Sequence, residues 1–344
     1  MEMNQALEKL VNKQDLSTAE MKSVMQKIMT GEATNAQIGG FLVALRMKSE
    51  SIDEITGAVE VMRSLSTPVS VSGEYLVDTC GTGGDGADLF NVSTAAAFVV
   101  AAAGAKVAKH GNRSVSSTTG SADLLEAAGI NLSLTPEQVQ RCINEIGLGF
   151  MFAPAHHSAM KYAIGPRKEM GIRTIFNMLG PMTNPANVTN QVIGVFSQAL
   201  CRPMAEVLKR LGSSHVLIVH AEVGLDEISI SGKTFVTELN NDKIVEYTIS
   251  PSDFGLKESS LDGLSVSSAE ESFALIKNAL GRATDERSLK ARDIIILNAG
   301  AAIYASGLAS SLSEGVDRAA DAIGCGLAIT KISDLANFTN VFSS

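Results

Sequence analysis

The hydrophobic pattern of this chain changes near residue 75, and that change restricts the fold more than any other feature. Residues 1–65 carry helical signals alone, of which the capping box Ser17-Thr18-Ala19-Glu20 is the clearest. From residue 75 onward, short apolar runs alternate with helical stretches. Alternation of this kind is typical of a mainly parallel sheet with helices on both faces. The sequence therefore predicts the α/β class, with a helical N-terminal region ahead of a larger α/β region.

Seven apolar runs in the second region are strand candidates. They cover residues 75–79, 106–109, 150–153, 191–196, 216–220, 234–239 and 244–249. The last two runs are joined by Asn240-Asn241-Asp242-Lys243, which predicts an antiparallel hairpin. The tail from residue 269 is predicted to be helical.

Composition and charge exclude several classes of protein. The 344 residues carry a formal net charge of −9, which argues against a protein that coats nucleic acid. The longest apolar run, residues 95–105, is far shorter than the roughly 20 residues that span a bilayer, and no signal peptide is evident. The four cysteines fit neither a zinc site nor a disulfide framework, so we expect buried free thiols. We therefore expect a cytoplasmic protein that binds neither membranes nor nucleic acid.

A glycine-rich segment follows the first strand candidate. It reads Asp78-Thr79-Cys80-Gly81-Thr82-Gly83-Gly84-Asp85-Gly86 and leads through Asn91-Val92-Ser93-Thr94 into an alanine-rich helix. Glycines allow a positive φ and close approach of a ligand, and backbone N–H groups at a helix N-terminus bind phosphate. The alternative is an ordinary turn with an N-cap, although four glycines in six residues exceed what a turn needs. The segment predicts a phosphate cradle.

The same segment contains Gly81-x-Gly83-x-x-Gly86, a pattern that also occurs in dinucleotide-binding turns. Such a site requires an acidic residue at the end of the second strand for the ribose hydroxyl. Here the second strand candidate ends in Lys109-His110, which indicates additional phosphate binding instead. A dinucleotide-dependent oxidoreductase is therefore disfavoured.

A polar segment follows the second strand candidate. It reads Lys109-His110-Gly111-Asn112-Arg113-Ser114-Val115-Ser116-Ser117 and ends in Gly120-Ser121-Ala122-Asp123. Ligands of α/β sheets bind at the carboxyl ends of the strands, so this segment and the glycine-rich one are expected to face one crevice. A solvated polar loop is the alternative, but it does not explain why both segments follow strands.

Two further segments carry candidate site residues. Adjacent His156 and His157 point in different directions on a helix, so we interpret them as packing residues rather than as ligands of one metal ion. Arg167 is better placed to bind a planar carboxylate with its guanidinium fork. Asp226-Glu227 follows a strand candidate, and such a pair can hold Mg²⁺ bridged to substrate phosphates. Alone it would more often be solvated surface.

Together these segments resemble the anthranilate phosphoribosyltransferase family, over nearly the whole chain and in the family's order. The resemblance implies a small helical domain hinged to a larger α/β domain, and a homodimer formed through the helical domain. The helical domain would comprise residues 1–72 with residues 165–188 returning to it; residues 73–164 and 189–344 would form the α/β domain. The implied reaction joins anthranilate to phosphoribosyl diphosphate (PRPP), giving N-(5-phosphoribosyl)anthranilate and diphosphate, with Mg²⁺ as cofactor.

The resemblance also implies roles for individual residues. Those matching PRPP contacts are Gly81, Gly84, Asp85, Leu89, Asn91, Val92, Ser93, Thr94, Lys109, His110, Gly111, Asn112, Arg113, Ser114, Val115, Ser116, Ser117 and Ser121. Those matching anthranilate contacts are Gly81, His110, Asn112 and Arg167. The implied Mg²⁺ ligands are Ser93, Asp226 and Glu227, and the implied catalytic residues are Lys109, Asn112 and Arg167. Leu89 departs from the family, which commonly has threonine there, and Ser158 stands where a proline is common.

Two related classes remain as alternatives. A pyrimidine nucleoside phosphorylase shares the architecture and a glycine-rich phosphate loop, but the Asp226-Glu227 pair and the segment from Lys109 to Arg113 disfavour it. A non-catalytic relative that binds nucleic acid would be expected to carry a basic groove and to lack Asn112 and Arg167. The negative net charge and the presence of both residues disfavour that class.

Overall fold

The structure is a computed structural model that describes residues 1–114 and 118–343. These ranges form fifteen α-helices and seven β-strands. The helices are α1 (Met3–Val11), α2 (Thr18–Thr30), α3 (Asn35–Lys48), α4 (Ile52–Ser64), α5 (Val92–Ala102), α6 (Ser121–Ala127), α7 (Pro136–Arg141), α8 (Ala153–His156), α9 (Lys161–Met170), α10 (Phe176–Leu179), α11 (Cys201–Arg210), α12 (Ala269–Leu280), α13 (Glu286–Ala305), α14 (Leu312–Gly324) and α15 (Leu327–Asn340). The strands are β1 (Leu76–Gly81), β2 (Lys106–Gly111), β3 (Leu148–Phe152), β4 (Asn190–Gly194), β5 (His215–Ala221), β6 (Thr234–Asn240) and β7 (Lys243–Ile249). A π-helical turn extends α7 over Cys142–Ile146, and short 3₁₀ turns occupy Ser158–Met160, Gly180–Met182, Gln198–Leu200, Pro251–Phe254 and Val341–Ser343.

The N-terminal helices begin where their capping residues predict. At the start of α2, the Ser17 hydroxyl accepts a hydrogen bond from the Glu20 N–H, and the Glu20 carboxylate accepts one from the Ser17 N–H at 2.9 Å. The helix ends at Gly31, which adopts the left-handed conformation that ends many helices. Its buried face carries Met21, Val24, Met25, Ile28 and Met29. The predicted capping box is confirmed.

The seven strands form one sheet in the order β3-β2-β1-β4-β5-β6-β7. The first five are parallel to one another, and β6 and β7 are antiparallel. Asn241 and Asp242 both have positive φ in the two-residue turn between β6 and β7, as a tight hairpin turn requires. The predicted fold class and the predicted hairpin are therefore confirmed.

Apolar side chains cover both faces of the sheet. On one face, α5 and α13 form the centre of a large core with α12, α14 and α15. On the other face, apolar residues of β4, β5 and α11 join a second core that also contains the buried side chains of α1 to α4. Helix α9 lies against α2 and α3 in this second core. The division into domains at residue 72 stays a prediction.

Strand β1 parts from β2 part-way along its length. It pairs with β2 only through Leu76 and Val77, and from Asp78 to Gly81 it pairs with β4. The strand order reverses here, because β2 lies on one side of β1 and β4 on the other. A reversal of this kind opens a crevice beyond the carboxyl ends of the strands. The fold thus places the segments after β1, β2, β4 and β5 at one edge.

The described helices include none that is long and apolar enough to cross a bilayer. All four cysteines are free, and Cys80, Cys142 and Cys201 are buried. The expectation of burial is wrong for Cys325, which is exposed because it lies at the C-terminal cap of α14, beyond that helix's buried face.

Candidate functional site

The loop after β1 has the conformation that its glycines predict. Gly83, Gly84 and Gly86 all have positive φ, between +65° and +79°. A side chain at Gly81 would collide with the acid pair after β5, because an added Cβ would lie 2.5 Å from Oδ2 of Asp226. The loop therefore lies directly against that pair.

Asp226 is held by backbone atoms from two strand ends. Its Oδ2 accepts a hydrogen bond from the N–H of Gly83 at 2.7 Å. Its carbonyl oxygen lies against Gly194, the last residue of β4, where an added Cβ would stand 1.4 Å away. Sequence reasoning missed Gly194, although a glycine in a strand often marks close approach of another backbone.

Glu227 occupies the N-terminus of α5. Its Oε1 accepts a hydrogen bond from the Ser93 N–H at 3.1 Å, so a carboxylate satisfies one of the free N–H groups of this helix. The N-cap residue Asn91 does not cap the helix with its side chain; its amide instead bonds to Ser272 and Thr119. This helix N-terminus therefore holds an acidic side chain of the chain itself, and the predicted phosphate cradle stays a prediction.

Lys109 lies between β1 and the N-terminus of α5 and is only 2% exposed. Its ammonium group donates hydrogen bonds to the Thr79 carbonyl and, at 3.3 Å, to the Ser93 hydroxyl. Burial lowers the pKa of Lys109, and the negative charges of Asp78 and Glu227 oppose that change. Lys109 therefore places positive charge beside Ser93, the residue whose N–H binds Glu227.

Burial and neighbouring carboxylates disfavour ionisation of both acids of the pair. Burial, followed by the charge of Asp85, raises the pKa of Asp226 to about 7. Burial and the charge of Asp226 also raise the pKa of Glu227. Carboxylate oxygens are the ligands that Mg²⁺ prefers, and it typically uses one or two of them together with substrate phosphates. The residues present therefore fit a Mg²⁺ ion.

His110 follows Lys109 in β2, and each of its two ring nitrogens lies within hydrogen-bonding distance of a partner. Its Nδ1 lies 2.6 Å from Oδ2 of Asp78, and its Nε2 lies 2.8 Å from the carbonyl oxygen of Gly180. Although burial acts in the opposite direction, the Asp78 charge raises the pKa of His110. The Asn184 amide donates to the same carboxylate oxygen at 2.8 Å. His110 thus links β1 and β2, at the point where the two strands separate, to the segment after α10.

Asp78, Cys80 and His110 also form a compact group of potential metal ligands. Their ligand atoms lie within 4.8 Å of one another, and all three residues are buried. A metal ion here would have to displace the hydrogen bonds that His110 and Asn184 make to Asp78. We therefore interpret this group as structural.

Comparison with known proteins decides between the alternative families. The sequence matches the helical bundle domain of the glycosyl transferase family over residues 4–66, and the a/b domain of that family over residues 73–329. The anthranilate phosphoribosyltransferase of Hahella chejuensis is 68% identical over 342 residues, covering 99% of both chains. This chain belongs to the anthranilate phosphoribosyltransferase family. The relative confirms the family that the four segments predict.

Solved structures of anthranilate phosphoribosyltransferases share the fold. The enzyme from Thermus thermophilus is 40% identical, with a TM-score of 0.91 over 97% of this chain and 99% of that one. The Saccharomyces cerevisiae enzyme in complex with PRPP and Mg is 27% identical, with a TM-score of 0.89 over 99% of this chain and 98% of that one. The predicted fold and transferase function are confirmed by these relatives.

Arg167, predicted to bind anthranilate, lies on α9. Its guanidinium carbon stands 5.1 Å from the centre of the Phe176 ring. Within residues 1–114 and 118–343, the guanidinium has no hydrogen-bond or ion-pair partner, and burial lowers its pKa. An unpaired, partly buried cation of this kind favours an anionic ligand. Contact with anthranilate stays a prediction.

The segment after β2 is held by its own ion pairs. Arg113 forms ion pairs with Asp123 at 3.1 Å and with Glu126 at 2.6 Å, so two nearby carboxylates balance its charge. Exposed Asn112 accepts a hydrogen bond from the Arg113 N–H at 2.8 Å, and the Ser114 N–H donates to Asp123. Val115, Ser116 and Ser117 lie outside the described residues. The predicted PRPP contacts of this segment stay predictions.

The other predicted PRPP residues surround the N-termini of α5 and α6. Leu89 forms an isolated bridge with Ser265. Val92 and Thr94 are buried, and the Thr94 hydroxyl has no hydrogen-bond partner in the part of the chain that the structure describes. Gly111 lies against Ser121, the first residue of α6, since an added Cβ would stand 3.2 Å from the Ser121 hydroxyl. These contacts locate the residues in the fold, and their contacts with PRPP stay predictions.

His156 and His157 are buried packing residues. Nδ1 of His156 lies 2.8 Å from the Thr67 carbonyl oxygen, which ties α8 to the end of the N-terminal helices. Burial lowers the pKa of both rings, that of His157 to about 4. Two neutral rings in these positions fit the interpretation as packing residues.

Arg173 is a site residue that sequence reasoning did not assign. Its guanidinium donates a hydrogen bond to the Gly84 carbonyl and stacks on the Phe196 ring at 4.2 Å. Its own carbonyl oxygen accepts a hydrogen bond from Arg46 of α3. Arg173 therefore joins the glycine-rich loop to the N-terminal helices.

Proposed function

We propose that this chain transfers the phosphoribosyl group of PRPP to the amine of anthranilate, a step of tryptophan biosynthesis. The observation that carries the proposal is the arrangement of the acid pair. Asp226 bonds to the glycine-rich loop, Glu227 bonds to the N–H of Ser93 at the N-terminus of α5, and Lys109 bonds to the Ser93 hydroxyl. This combination brings carboxylates that suit a metal ion and a lysine that suits a diphosphate group into one site.

Asp226 and Glu227 would hold Mg²⁺, with the Ser93 hydroxyl as a third oxygen ligand. The S. cerevisiae relative, which is solved in complex with PRPP and Mg, supports Mg²⁺ as the cation. When bound, Mg²⁺ supplies positive charge opposite the departing diphosphate. The raised pKa values of both carboxyls support a cation here, since bringing positive charge close to them removes the cost of two adjacent anions.

The loop and Lys109 stabilise charge where it develops. When the bond from the anomeric carbon to diphosphate breaks, negative charge grows on the leaving group. The Gly83 N–H lies at Asp226, and the Lys109 ammonium lies at the hydroxyl of Ser93, the residue that binds Glu227. Donors that are already oriented cost no reorganisation at that moment, and loss of one such donor costs about 3 kcal/mol of barrier.

Arg167 and Asn112 would position the second substrate. The amine of anthranilate is an aniline and is neutral at pH 7, so the reaction requires orientation more than a strong base. The unpaired guanidinium of Arg167 supplies a fork that matches the anthranilate carboxylate.

A homodimer through the N-terminal helices is part of the proposal. Val11 of α1, Met47 of α3 and Ile164 of α9 are 71%, 80% and 54% exposed, and α3 packs against both other helices. Exposed apolar residues grouped on adjacent helices favour a protein interface. Light scattering of the wild-type chain and of Met47→Lys would test this. We expect a dimeric wild type and a variant that dimerises more weakly, and a monomeric wild type would contradict the proposal.

A cytoplasmic location stays a prediction.

The decisive experiment is turnover. Purified protein with Mg²⁺ and PRPP should consume anthranilate, followed by the loss of anthranilate fluorescence, and the chain has no tryptophan to interfere. Asp226→Asn should require much more Mg²⁺ for the same rate. No turnover, together with tight binding of single-stranded nucleic acid, would overturn the proposal in favour of the non-catalytic alternative.

A further inference from the structure

The side-chain amide of Asn298, in α13, binds both backbone groups of one residue. Its Oδ1 accepts a hydrogen bond from the Ile228 N–H at 2.9 Å, and its Nδ2 donates to the Ile228 carbonyl oxygen at 2.8 Å. Nδ2 also donates to the Ile294 carbonyl at 2.8 Å, one turn earlier in α13. Asn298 is only 3% exposed, so these bonds are made away from water.

Ile228 directly follows the acid pair. Strand β5 ends at Ala221 and β6 begins at Thr234, so the acid pair lies in the connection between two strands. The segment is anchored before the pair by a hydrogen bond from the Ala221 N–H to the Leu225 carbonyl at 3.0 Å. It is anchored after the pair by Asn298. The two anchors leave only Asp226 and Glu227 between them.

An amide is well suited to this position. It offers one acceptor and two donors, which match one N–H and two carbonyl groups here. A carboxylate would face two carbonyl oxygens without a proton to donate, and an apolar side chain would leave the N–H and the carbonyl of Ile228 to find other partners. Asn298 and Glu227 also line the same small cavity, together with Thr79 and Ser93.

We propose that Asn298 is a positioning residue that fixes Asp226 and Glu227 for binding of the divalent cation and PRPP. The proposal rests on the proposed function, because it assigns the acid pair to the cation. Residues behind metal ligands typically change metal affinity by about 10–100-fold when they are replaced. Asn298 acts in the same manner through the backbone, since it holds the peptide that carries both acids rather than a ligand side chain.

The test measures cation binding without requiring turnover. Binding of Mn²⁺ in the presence of PRPP is followed by electron paramagnetic resonance in the wild type, Asn298→Ala and Asn298→Ser. Binding is expected to weaken by about 10–100-fold in Asn298→Ala, and by less in Asn298→Ser, which keeps one donor and one acceptor. Asn298→Ser also serves if Asn298→Ala does not fold.

Hydrogen exchange provides a second readout in the free protein. The peptide covering residues 222–231 should exchange faster in Asn298→Ala than in the wild type, because the Ile228 N–H loses its partner, and the increase should be smaller in Asn298→Ser. Tyr304→Phe is the matched control. It lies on the same helix and removes one partly buried hydrogen bond, from the Tyr304 hydroxyl to Glu238 at 2.8 Å, without touching the acid segment.

The outcomes separate the two proposals. Mn²⁺ binding that is unchanged in both Asn298 variants, or weakened equally in Tyr304→Phe, would overturn the positioning role. Wild-type protein that binds Mn²⁺ with PRPP but does not consume anthranilate would overturn the proposed function, whereas the binding and exchange measurements would still decide the role of Asn298.

Discussion

Gly194 lies so close to Asp226 that a Cβ atom on Gly194 would stand 1.4 Å from the Asp226 carbonyl oxygen. Gly194 is the last residue of β4, and Asp226 lies in the segment after β5. Their contact fixes the position of the acid pair relative to the sheet. Gly194 also pairs with Gly81 across the β1–β4 ladder, so one glycine determines the spacing between the glycine-rich loop and the acids. No larger residue permits this spacing.

We therefore expect Gly194→Ala to reduce kcat/KM by about 100-fold, since displacement of a catalytic group by about 1 Å has effects of this size. Stability should fall by about 1–3 kcal/mol from overpacking. Steady-state kinetics and thermal unfolding measure the two effects. Gly324→Ala, at a position where an added Cβ meets no atom within 4 Å, should be active and stable. Full activity in Gly194→Ala would contradict the spacing role.

Arg167→Lys should affect one substrate selectively. Lysine keeps the charge but loses the planar fork, so the KM for anthranilate should rise by about 10-fold or more, with a much smaller change in the KM for PRPP. Varying each substrate at saturation of the other separates the effects. Equal increases in both KM values would show that Arg167 acts on the fold of the site and not on anthranilate.

Arg173→Ala should raise the KM for PRPP rather than the KM for anthranilate. Its guanidinium donates to the Gly84 carbonyl and stacks on Phe196, so its loss should loosen the glycine-rich loop. A charge-assisted hydrogen bond contributes about 1.5–3 kcal/mol, which corresponds to an increase of about 10-fold or more in the KM for PRPP. Phe196→Leu keeps the hydrogen bond and should have a smaller effect. An unchanged KM for PRPP in Arg173→Ala would rule out support of the loop.

Glu238→Gln should change stability in a pH-dependent manner. Burial opposes ionisation, but hydrogen bonds from His215, Tyr247 and Tyr304 lower the pKa of Glu238 to about 2. Its ionised form therefore contributes stability above pH 4.5, its ordinary pKa, and that contribution is lost as the pH falls toward 2. The variant should be less stable by about 2 kcal/mol at pH 7, with a difference that shrinks below pH 4.5. Denaturant unfolding across this range measures it, and a constant difference would contradict the assignment.

The order of helices and strands is set by local properties of the sequence. Capping residues such as Ser17 and Glu20 start a helix through hydrogen bonds that span three residues, and the turn at Asn241 and Asp242 needs only their tolerance of positive φ. The glycines of the loop after β1 likewise indicate its backbone conformation. Such signals are readable because each depends on residues close together in the chain.

The partners of each site residue were decided by the tertiary structure. Glu227 caps α5 from 134 residues away, and Asn298 holds Ile228 from 70 residues away. Arg113 bonds to Asp123 and Glu126, partners that its place in the sequence does not specify. The sequence by itself determined the class of fold and the chemical types of the site residues, because those follow from local pattern and composition, and its motifs identified the family through their resemblance to it. Which of these side chains meet was determined by the order of the strands and the split between β1 and β2, since only the closed sheet brings distant segments to one edge.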